Sequence, residues 1–428
     1  MDWPHPLLLA YRLAWFVARP LLPLVLARRR ARGKEDAARL GERRGIAGLP
    51  RPPGRLVWMH GASVGEALAL LPLVDRMQAS GFVVLVTTGT VTSARLLATR
   101  LPPGALHQYA PLDAGACMRR FLQTWKPGLL VLTESELWPN MLLEARRAGI
   151  PVALVNARLS ARSFAHWSRA KGAISALLRC IDVCLAQTPA DAGRLTRLGA
   201  ARVSVCGNLK YDAAPLPADT AALGALRVAI GARPCWVAAS IHAGEDEMAL
   251  AAHAALAAAF PDLLTILAPR HMARADAIAT LPAARSLSIA RRSLADAVAA
   301  GVQVYLADTM GEMGLLYRLN APVFMGKSLA RGGGQNPIEP AVLGAAILHG
   351  PSVMNFADVY ALLDDAGGAT RVDSEAALVK SLGDLLRDEH LRGAMGARAK
   401  AVVKAHGGAC DAIVAALTPL LERSRGVS

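Results

Sequence analysis

The sequence predicts an α/β fold of two doubly wound, parallel-sheet units, and three observations predict it. Strand-like apolar runs alternate with helix-length stretches along almost the whole chain, which implies a parallel sheet with helices on both faces. The alternation breaks once, from Tyr211 to Arg233, where Pro215 and Pro217 sit among small residues, and then restarts. Nearly every polar cluster follows directly on a strand-like run, and ligands gather at the carboxyl ends of parallel strands.

The chain opens with an apolar stretch from Pro6 to Leu26, interrupted only by Arg12 and Arg19 and free of acidic residues. His5, Arg12 and Arg19 recur every seven residues and so share one helical face. Such a helix suits a bilayer interface, a bilayer span at a cost for two arginines near its middle, or burial against a globular unit. Arg28, Arg29, Arg30, Arg32 and Lys34 follow, and a basic flank of this kind marks the cytoplasmic side. No small-residue cleavage site follows the apolar run, so a removed signal peptide is not expected.

Arg55 to Met59 then reads as a strand, Gly61 to Gly65 as a glycine-containing loop, and Ala67 to Val74 as the body of a helix that Glu66 opens. Further strands are expected at Phe82–Val86, Leu129–Leu132, Pro151–Val155, Val183–Ala186 and Val203–Val205, with helices at Ala94–Thr99 and Met141–Ala148. After the break, strands are expected at Cys235–Ala239, Leu263–Ala268, Val302–Leu306, Pro322–Met325 and Ala345–Leu348, with a helix from Glu245 to Ala259. The expected organisation is an anchor helix and basic flank over residues 1–34, a Rossmann-like domain over 35–212, a linker over 213–233 and a second Rossmann-like domain over 234–428.

Composition narrows the function. A chain of 428 residues with 53% apolar and 19% charged residues can bury large cores and is not disordered. The net charge of +15 points to an anionic partner: nucleic acid, anionic lipid or a phosphorylated substrate. Aromatic residues are only 5% and do not interleave with basic ones as on a single-strand-binding face, which disfavours nucleic acid. The six cysteines form no C-x-x-C pair, so they read as reduced thiols and not as metal ligands.

Several strand-end clusters can carry chemistry. Glu66 stands in the first turn of a helix after a strand, although Ser63-x-x-Glu66 is also a capping box. Glu134 and Glu136 flank Ser135 after a buried strand and can serve acid–base work or cap a helix. Lys210 ends the first half. In the second half, Gly332–Glu339 has glycines that let backbone N–H groups approach a phosphate, with Pro337 suited to a helix start. Glu339 can accept from ribose hydroxyls, and Arg270 offers a charge-assisted phosphate contact. The loop matches neither a dinucleotide fingerprint nor a Walker loop. No Asp-x-Asp occurs, which weakens the case for a metal-clamped diphosphate.

With these stretches in hand, the sequence resembles the 3-deoxy-D-manno-octulosonic acid (Kdo) transferases of lipopolysaccharide synthesis over almost its whole length. The resemblance runs through SVGE at Ser63–Glu66, ESELWPN at Glu134–Asn140, NARLSARS at Asn156–Ser163 and GNLKYD at Gly207–Asp212. It continues through APRH at Ala268–His271, DTMGEM at Asp308–Met313 and NPIEP at Asn336–Pro340. It implies a GT-B glycosyltransferase, two Rossmann-like domains facing a cleft, with an N-terminal membrane-associated helix at the cytoplasmic side of the inner membrane. The implied donor is CMP-Kdo. The implied acceptor is the lipid A precursor, lipid IVA. Neither a metal, a cofactor nor nucleic acid is implied.

The family's general base corresponds to Glu66, and its transition-state stabilisers to Glu134 and Lys210. Its CMP contacts correspond to Pro269, Arg270, Met310, Gly311, Glu312, Asn336, Pro337, Ile338 and Glu339. The chain departs from the family pattern at Lys327 and Gln335, where a glycine and a histidine are usual, and at Ile241, where a threonine is usual. Gln335 can hydrogen-bond but cannot become cationic, and Lys327 can compensate. Two other readings compete: a nucleotide-sugar epimerase on the same fold, which would need no lipid acceptor, and a non-enzymatic basic protein holding anions at a membrane, which would need no Glu66.

Overall fold

A computed structural model describes residues 5–330 and 332–423. Residues 1–4 of the expected anchor, Arg331 of the glycine-rich loop and residues 424–428 lie outside the described residues. The chain forms two compact units, one comprising residues up to Ala213 and from His406 onward, the other Ala214–Ala405.

The first unit holds seven strands: β1 (Leu56–His60), β2 (Val83–Thr88), β3 (Leu106–Tyr109), β4 (Leu129–Thr133), β5 (Val152–Ala157), β6 (Val183–Ala186) and β7 (Val203–Val205). Their order is β3-β2-β1-β4-β5-β6-β7, and all pairs are parallel. In β1 the side chains divide between two cores: Leu56 and Trp58 enter one, Val57 and Met59 the other. An unbroken apolar run is therefore what a central strand covered on both faces requires. The order reverses between β1 and β4, so the loops after these two strands flank a switch point, where open α/β sheets bind ligands.

The second unit repeats the plan with β8 (Cys235–Ile241), β9 (Leu264–Pro269), β10 (Ile289–Arg291), β11 (Val304–Leu306), β12 (Val323–Met325), β13 (Ile347–His349) and β14 (Ala369–Arg371). The order is β10-β11-β9-β8-β12-β13-β14, again all parallel. Its switch point lies between β8 and β12. The α/β class with two Rossmann-like sheets is the one the sequence predicts.

The boundaries differ from the sequence reading in two places. The stretch expected to be a linker holds the helix Thr220–Ile230, capped by Asp219, with Leu223, Leu226 and Ile230 buried. The first passage from one unit to the other is confined to the proline-bearing residues before it. The chain also returns to the first unit at its end. Helix Ala409–Arg423 places Ile413, Leu417 and Leu420 in the core that holds Val57 and Met59, and Asp212 accepts from Gly408 N and Cys410 N, each at 2.6 Å.

The N-terminal stretch forms helix Pro6–Ala18, a 3₁₀ turn at Arg19–Leu21 and helix Leu22–Ala31. One side is fastened to the first unit. The Tyr11 hydroxyl donates to Asp113 Oδ2 at 2.9 Å, Arg12 Nη2 donates to Glu144 Oε1 at 3.0 Å, and Leu8 is buried. The other side is exposed and apolar: Leu13, Phe16, Val17, Leu21 and Leu24 each keep more than half of their surface. The basic flank is partly neutralised, since Glu35 accepts from Arg29 at 2.6 Å and from Arg43 at 2.8 Å.

Candidate active site

In the first unit the loop after β1 carries Glu66. Ser63 caps helix Val64–Ala79, its Oγ accepting from Glu66 N at 3.3 Å. The Glu66 carboxylate turns back on the cap: Oε2 accepts from Ala62 N at 2.7 Å and Oε1 from the Ser63 hydroxyl at 2.9 Å. The capping box is real, and the carboxylate is still not an ordinary one. Burial first, then the charge of Glu136, raises its pKa above the usual glutamate range against the hydrogen bond from Ser63. A raised pKa makes a stronger general base near neutral pH.

β4 delivers the second cluster. Glu134 follows its last residue with φ 55, its amide donating to Val155 O at 3.0 Å. Its Oε1 accepts from Lys210 Nζ at 3.1 Å, with the two side chains 20% and 22% exposed. Residues around Lys210 explain how a lysine 76 positions away arrives there. Asn208 Oδ1 accepts from Lys210 N at 3.0 Å, Leu209 is fully buried, and Asn156 Oδ1 accepts from Leu209 N at 3.0 Å.

Glu136 has other partners. His60, the last residue of β1 and 2% exposed, brings Nε2 to 3.4 Å from Glu136 Oε2, while its Nδ1 lies 2.9 Å from Thr87 Oγ1. Trp138 Nε1 donates to the same Glu136 oxygen at 2.5 Å. Burial pushes Glu136 up, but the hydrogen bond and charge of His60 outweigh it and leave its pKa below the usual range. Glu66, Glu134 and Glu136 thus share one switch point, and Glu66 and Glu136 are pushed in opposite directions.

Four non-glycine residues sit at positive φ on these strand ends: Glu134 at 55°, Asn156 at 51°, Ser240 at 53° and Lys327 at 60°. Such conformations cost roughly 1–3 kcal/mol each and concentrate at functional sites. Two belong to each unit, at or next to its switch point.

In the second unit the loop after β12 is organised by Glu245, which is 1% exposed. Its carboxylate accepts from His242 N at 3.0 Å, Lys327 N at 2.6 Å, Ser328 N at 2.9 Å and Leu329 N at 3.1 Å. Ser352 Oγ accepts from Gly332 N at 3.2 Å and Gly333 N at 3.0 Å. Gln335 Nε2 lies 3.1 Å from His242 Nε2. Burial holds His242 below the usual histidine range, with Lys327 and His271 acting the same way against Glu245.

The residues matched to CMP contacts follow three strands of this sheet, the adjacent β11 and β9 and, across β8, β12. Pro269 closes β9 and Arg270 follows it exposed, its amide donating to Ile241 O at 2.9 Å. Met310 is 85% exposed after β11, Gly311 has φ 89, and the Glu312 carboxylate is held by Arg292 at 2.5 Å. That pairing, with burial opposing it, leaves Glu312 below the usual range. After β12, Asn336 Oδ1 accepts from Ile338 N at 3.1 Å, Asn336 Nδ2 donates to Glu339 Oε1 at 3.3 Å, and Pro337 precedes the short helix Ile338–Val342.

Sequence reasoning singled out Glu66, Glu134 and Lys210 but not what sets their states. The His60–Glu136 contact joins two motifs, and the only signal for it was that both stand at strand ends. Glu245 reads in the sequence as one of three acids in a helix's first turn. Its work on a loop 82 or more residues away has no local signature. Among the described residues no group of three or more His, Cys, Asp or Glu side chains is arranged to hold a metal ion.

A family model described as 3-deoxy-D-manno-octulosonic-acid transferase (kdotransferase) matches residues 38–213. A 3-deoxy-D-manno-octulosonic acid transferase of Bordetella pertussis is 38% identical over 414 residues, covering 93% of this chain and 96% of that protein. One from Haemophilus influenzae is 32% identical over 415 residues, covering 95% and 97%. Among solved structures, a UDP-GlcNAc 2-epimerase from Neisseria meningitidis bound to UDP-GlcNAc is similar with a TM-score of 0.55 at 15% identity, over 86% of this chain and 100% of that one. At that identity the likeness is one of fold.

Proposed function

This chain belongs to the 3-deoxy-D-manno-octulosonic acid transferases and is a glycosyltransferase, and we propose that it moves Kdo from CMP-Kdo onto lipid IVA at the cytoplasmic face of the inner membrane. The observation that carries the reading is the convergence of three distant motifs on one switch point. Glu66 comes from the end of β1, Glu134 from the end of β4, and Lys210 reaches Glu134 from the close of the first unit's main segment.

In this reading Glu66 removes the proton from a glucosamine hydroxyl as that oxygen attacks the anomeric carbon of Kdo, in one displacement with inversion. Its raised pKa suits a base that must hold the proton at neutral pH. Lys210, kept in place by Glu134, faces the negative charge that develops as the bond to CMP breaks. On the second unit Arg270 and the backbone amides of the loop ending at Asn336–Glu339 bind the CMP. The leaving group is a phosphate monoester, so a cation and oriented N–H groups are sufficient to stabilise it.

The N-terminal helices lie in the membrane interface in this reading and do not cross the bilayer. Arg12 and Tyr11 are bonded to the globular unit, and a spanning helix would drag Glu144 and Asp113 into hydrocarbon. An apolar face on a surface-fastened helix is the interfacial arrangement.

The test is mass analysis of the lipid after incubation with CMP-Kdo. Wild type adds Kdo, while Glu66→Gln retains CMP binding and loses transfer by about 10²–10⁴-fold. Near-normal turnover by the variant would remove Glu66 as the base. Turnover of the nucleotide sugar without any lipid would favour an epimerase.

A further inference from the structure

Beside the N-terminal helices lies a recess of about 540 Å³ that the catalytic reading does not use. Helix Pro6–Ala18 and the turn after it form one wall, and the start of helix Gly115–Trp125 forms the other. Its charge is one-sided. Arg12, Arg19, Arg44, Arg119 and Arg120 line it, and no carboxylate does.

The positive charge is only partly balanced. Glu144 Oε1 alone accepts from Arg12 at 3.0 Å, Arg119 at 3.0 Å and Arg147 at 3.1 Å, so three guanidinium groups share one carboxylate. The second terminal nitrogen of Arg12, Nη1, is shut off from water without a partner. Burial, then the neighbouring Arg147, lowers the Arg12 pKa. Arg120 donates to the Arg44 carbonyl at 2.8 Å, and the Arg19 and Arg44 side chains reach no carboxylate among the described residues. Helix Gly115–Trp125 opens onto the recess with Ala114 at its cap, no capping side chain and no acid in its first turn. Guanidinium groups arranged in this way match a phosphate.

Two further features select the kind of phosphate. Leu13 is 61% and Phe16 71% exposed at the rim, which a free anion would leave in water and an acyl chain would cover. Asn140 also lines the recess and stands four residues after Glu136, so their Cα atoms are within about 14 Å of each other. One molecule can therefore reach both the recess and the carboxylate cluster.

We propose that this recess is the subsite for a phosphate group of the acylated glucosamine acceptor, fixing which hydroxyl meets Glu66. The proposal rests on the acceptor reading above. The subsite lies wholly within the first unit, and its arginines act on binding and orientation, not on the bond-making step.

The test compares wild type with the double variant Arg44→Ala/Arg120→Ala, both sites being exposed. Kdo transfer is measured in neutral detergent micelles on tetra-acylated acceptor with both phosphates and with either one removed. Wild type should lose about 10- to 100-fold in kcat/KM when one particular phosphate is absent. The variant should show that loss with the intact acceptor and then ignore removal of that phosphate, with KM for CMP-Kdo unchanged. Arg44→Lys/Arg120→Lys should recover part of the loss.

A variant that still discriminates the phosphate as wild type does overturns the proposal. So does a variant that keeps discrimination but no longer floats with phosphatidylcholine vesicles containing phosphatidic acid, which would assign the recess to a bystander lipid. Failure of wild type to transfer Kdo to any acceptor would instead sink the acceptor reading. Flotation of wild type and variant with phosphatidylcholine vesicles doped with each acceptor then tests the subsite without turnover, and equal binding of all acceptors by both proteins overturns it.

Discussion

Asp113 offers the prediction with the most quantitative content. Its carboxylate accepts from the Tyr11 hydroxyl at 2.9 Å, Asn140 N at 3.1 Å and Met141 N at 2.8 Å, so it joins the N-terminal helix to the segment that follows β4. Burial outweighs these bonds and raises its pKa from 3.8 to about 6. The folded state therefore binds a proton that the unfolded state has already lost between these two values. Stability from this group is complete below pH 3.8 and is lost as pH rises through about 6. The size follows from the shift: 6 less 3.8, at 1.36 kcal/mol per unit, is about 3 kcal/mol. Asp113→Asn cannot ionise and carries no such dependence. Whatever constant cost the altered hydrogen bonds bring, the variant should gain about 2 kcal/mol on wild type between pH 4 and pH 7, the rest of the shift falling below pH 4. Urea unfolding followed by tryptophan fluorescence is the assay, because six of the seven tryptophans precede Ala214 and report on the first unit. A stability difference that stays flat across this pH range would refute the reasoning, since it would mean that burial does not govern this carboxyl.

Glu136→Gln should move the acid limb of the kcat/KM–pH profile to lower pH, because it removes the neighbouring negative charge that, after burial, does most to raise Glu66; an unmoved or upward-shifted limb would contradict this. Lys210→Met should lower kcat by about 10²–10³-fold with little change in KM for CMP-Kdo, as expected for a group that acts on developing charge, and steady-state kinetics would detect the opposite split. Gly334→Ala should destabilise the second unit by about 1–3 kcal/mol and weaken CMP binding in calorimetry, because Gly334 has φ 77 and an added Cβ would stand 3.1 Å from Val353 Cα.

Central strands were legible in the sequence, and of the four edge strands only β7 was. β1, β4, β5, β8 and β9 lie inside their sheets and show as apolar runs because both faces are covered. The strands that sequence reading missed are β3, β10 and β14, with sequences LHQY, IAR and ATR, and each ends a sheet. An edge strand needs less apolar surface, so its residues carry little period-two signal. Helix Thr220–Ile230 was hidden for a related reason: Ala221, Ala222, Gly224 and Ala225 around Leu223 and Leu226 blur the contrast between its buried and exposed faces. The return of helix Ala409–Arg423 to the first unit was not legible at all, because nothing in a helix's own pattern says which sheet it will cover.

The same limit applies to the site, and Glu66 shows why. The serine three residues before it announces a cap, and the cap forms. Those local hydrogen bonds favour the ionised carboxylate and would by themselves make it a weak base. What reverses the balance is burial and the charge of Glu136, a residue 70 positions away that comes near Glu66 because β1 and β4 are neighbours. The residue type that can accept a proton is written locally. Its affinity for that proton is set by the strand order, and so is the distinction between Glu66, raised, and Glu136, lowered by His60. Two carboxylates pushed apart in this way can divide the work, one taking the proton and the other remaining charged to hold it there. In the proposed mechanism a helix cap becomes a base through the sheet order, with no change in the capping residues themselves.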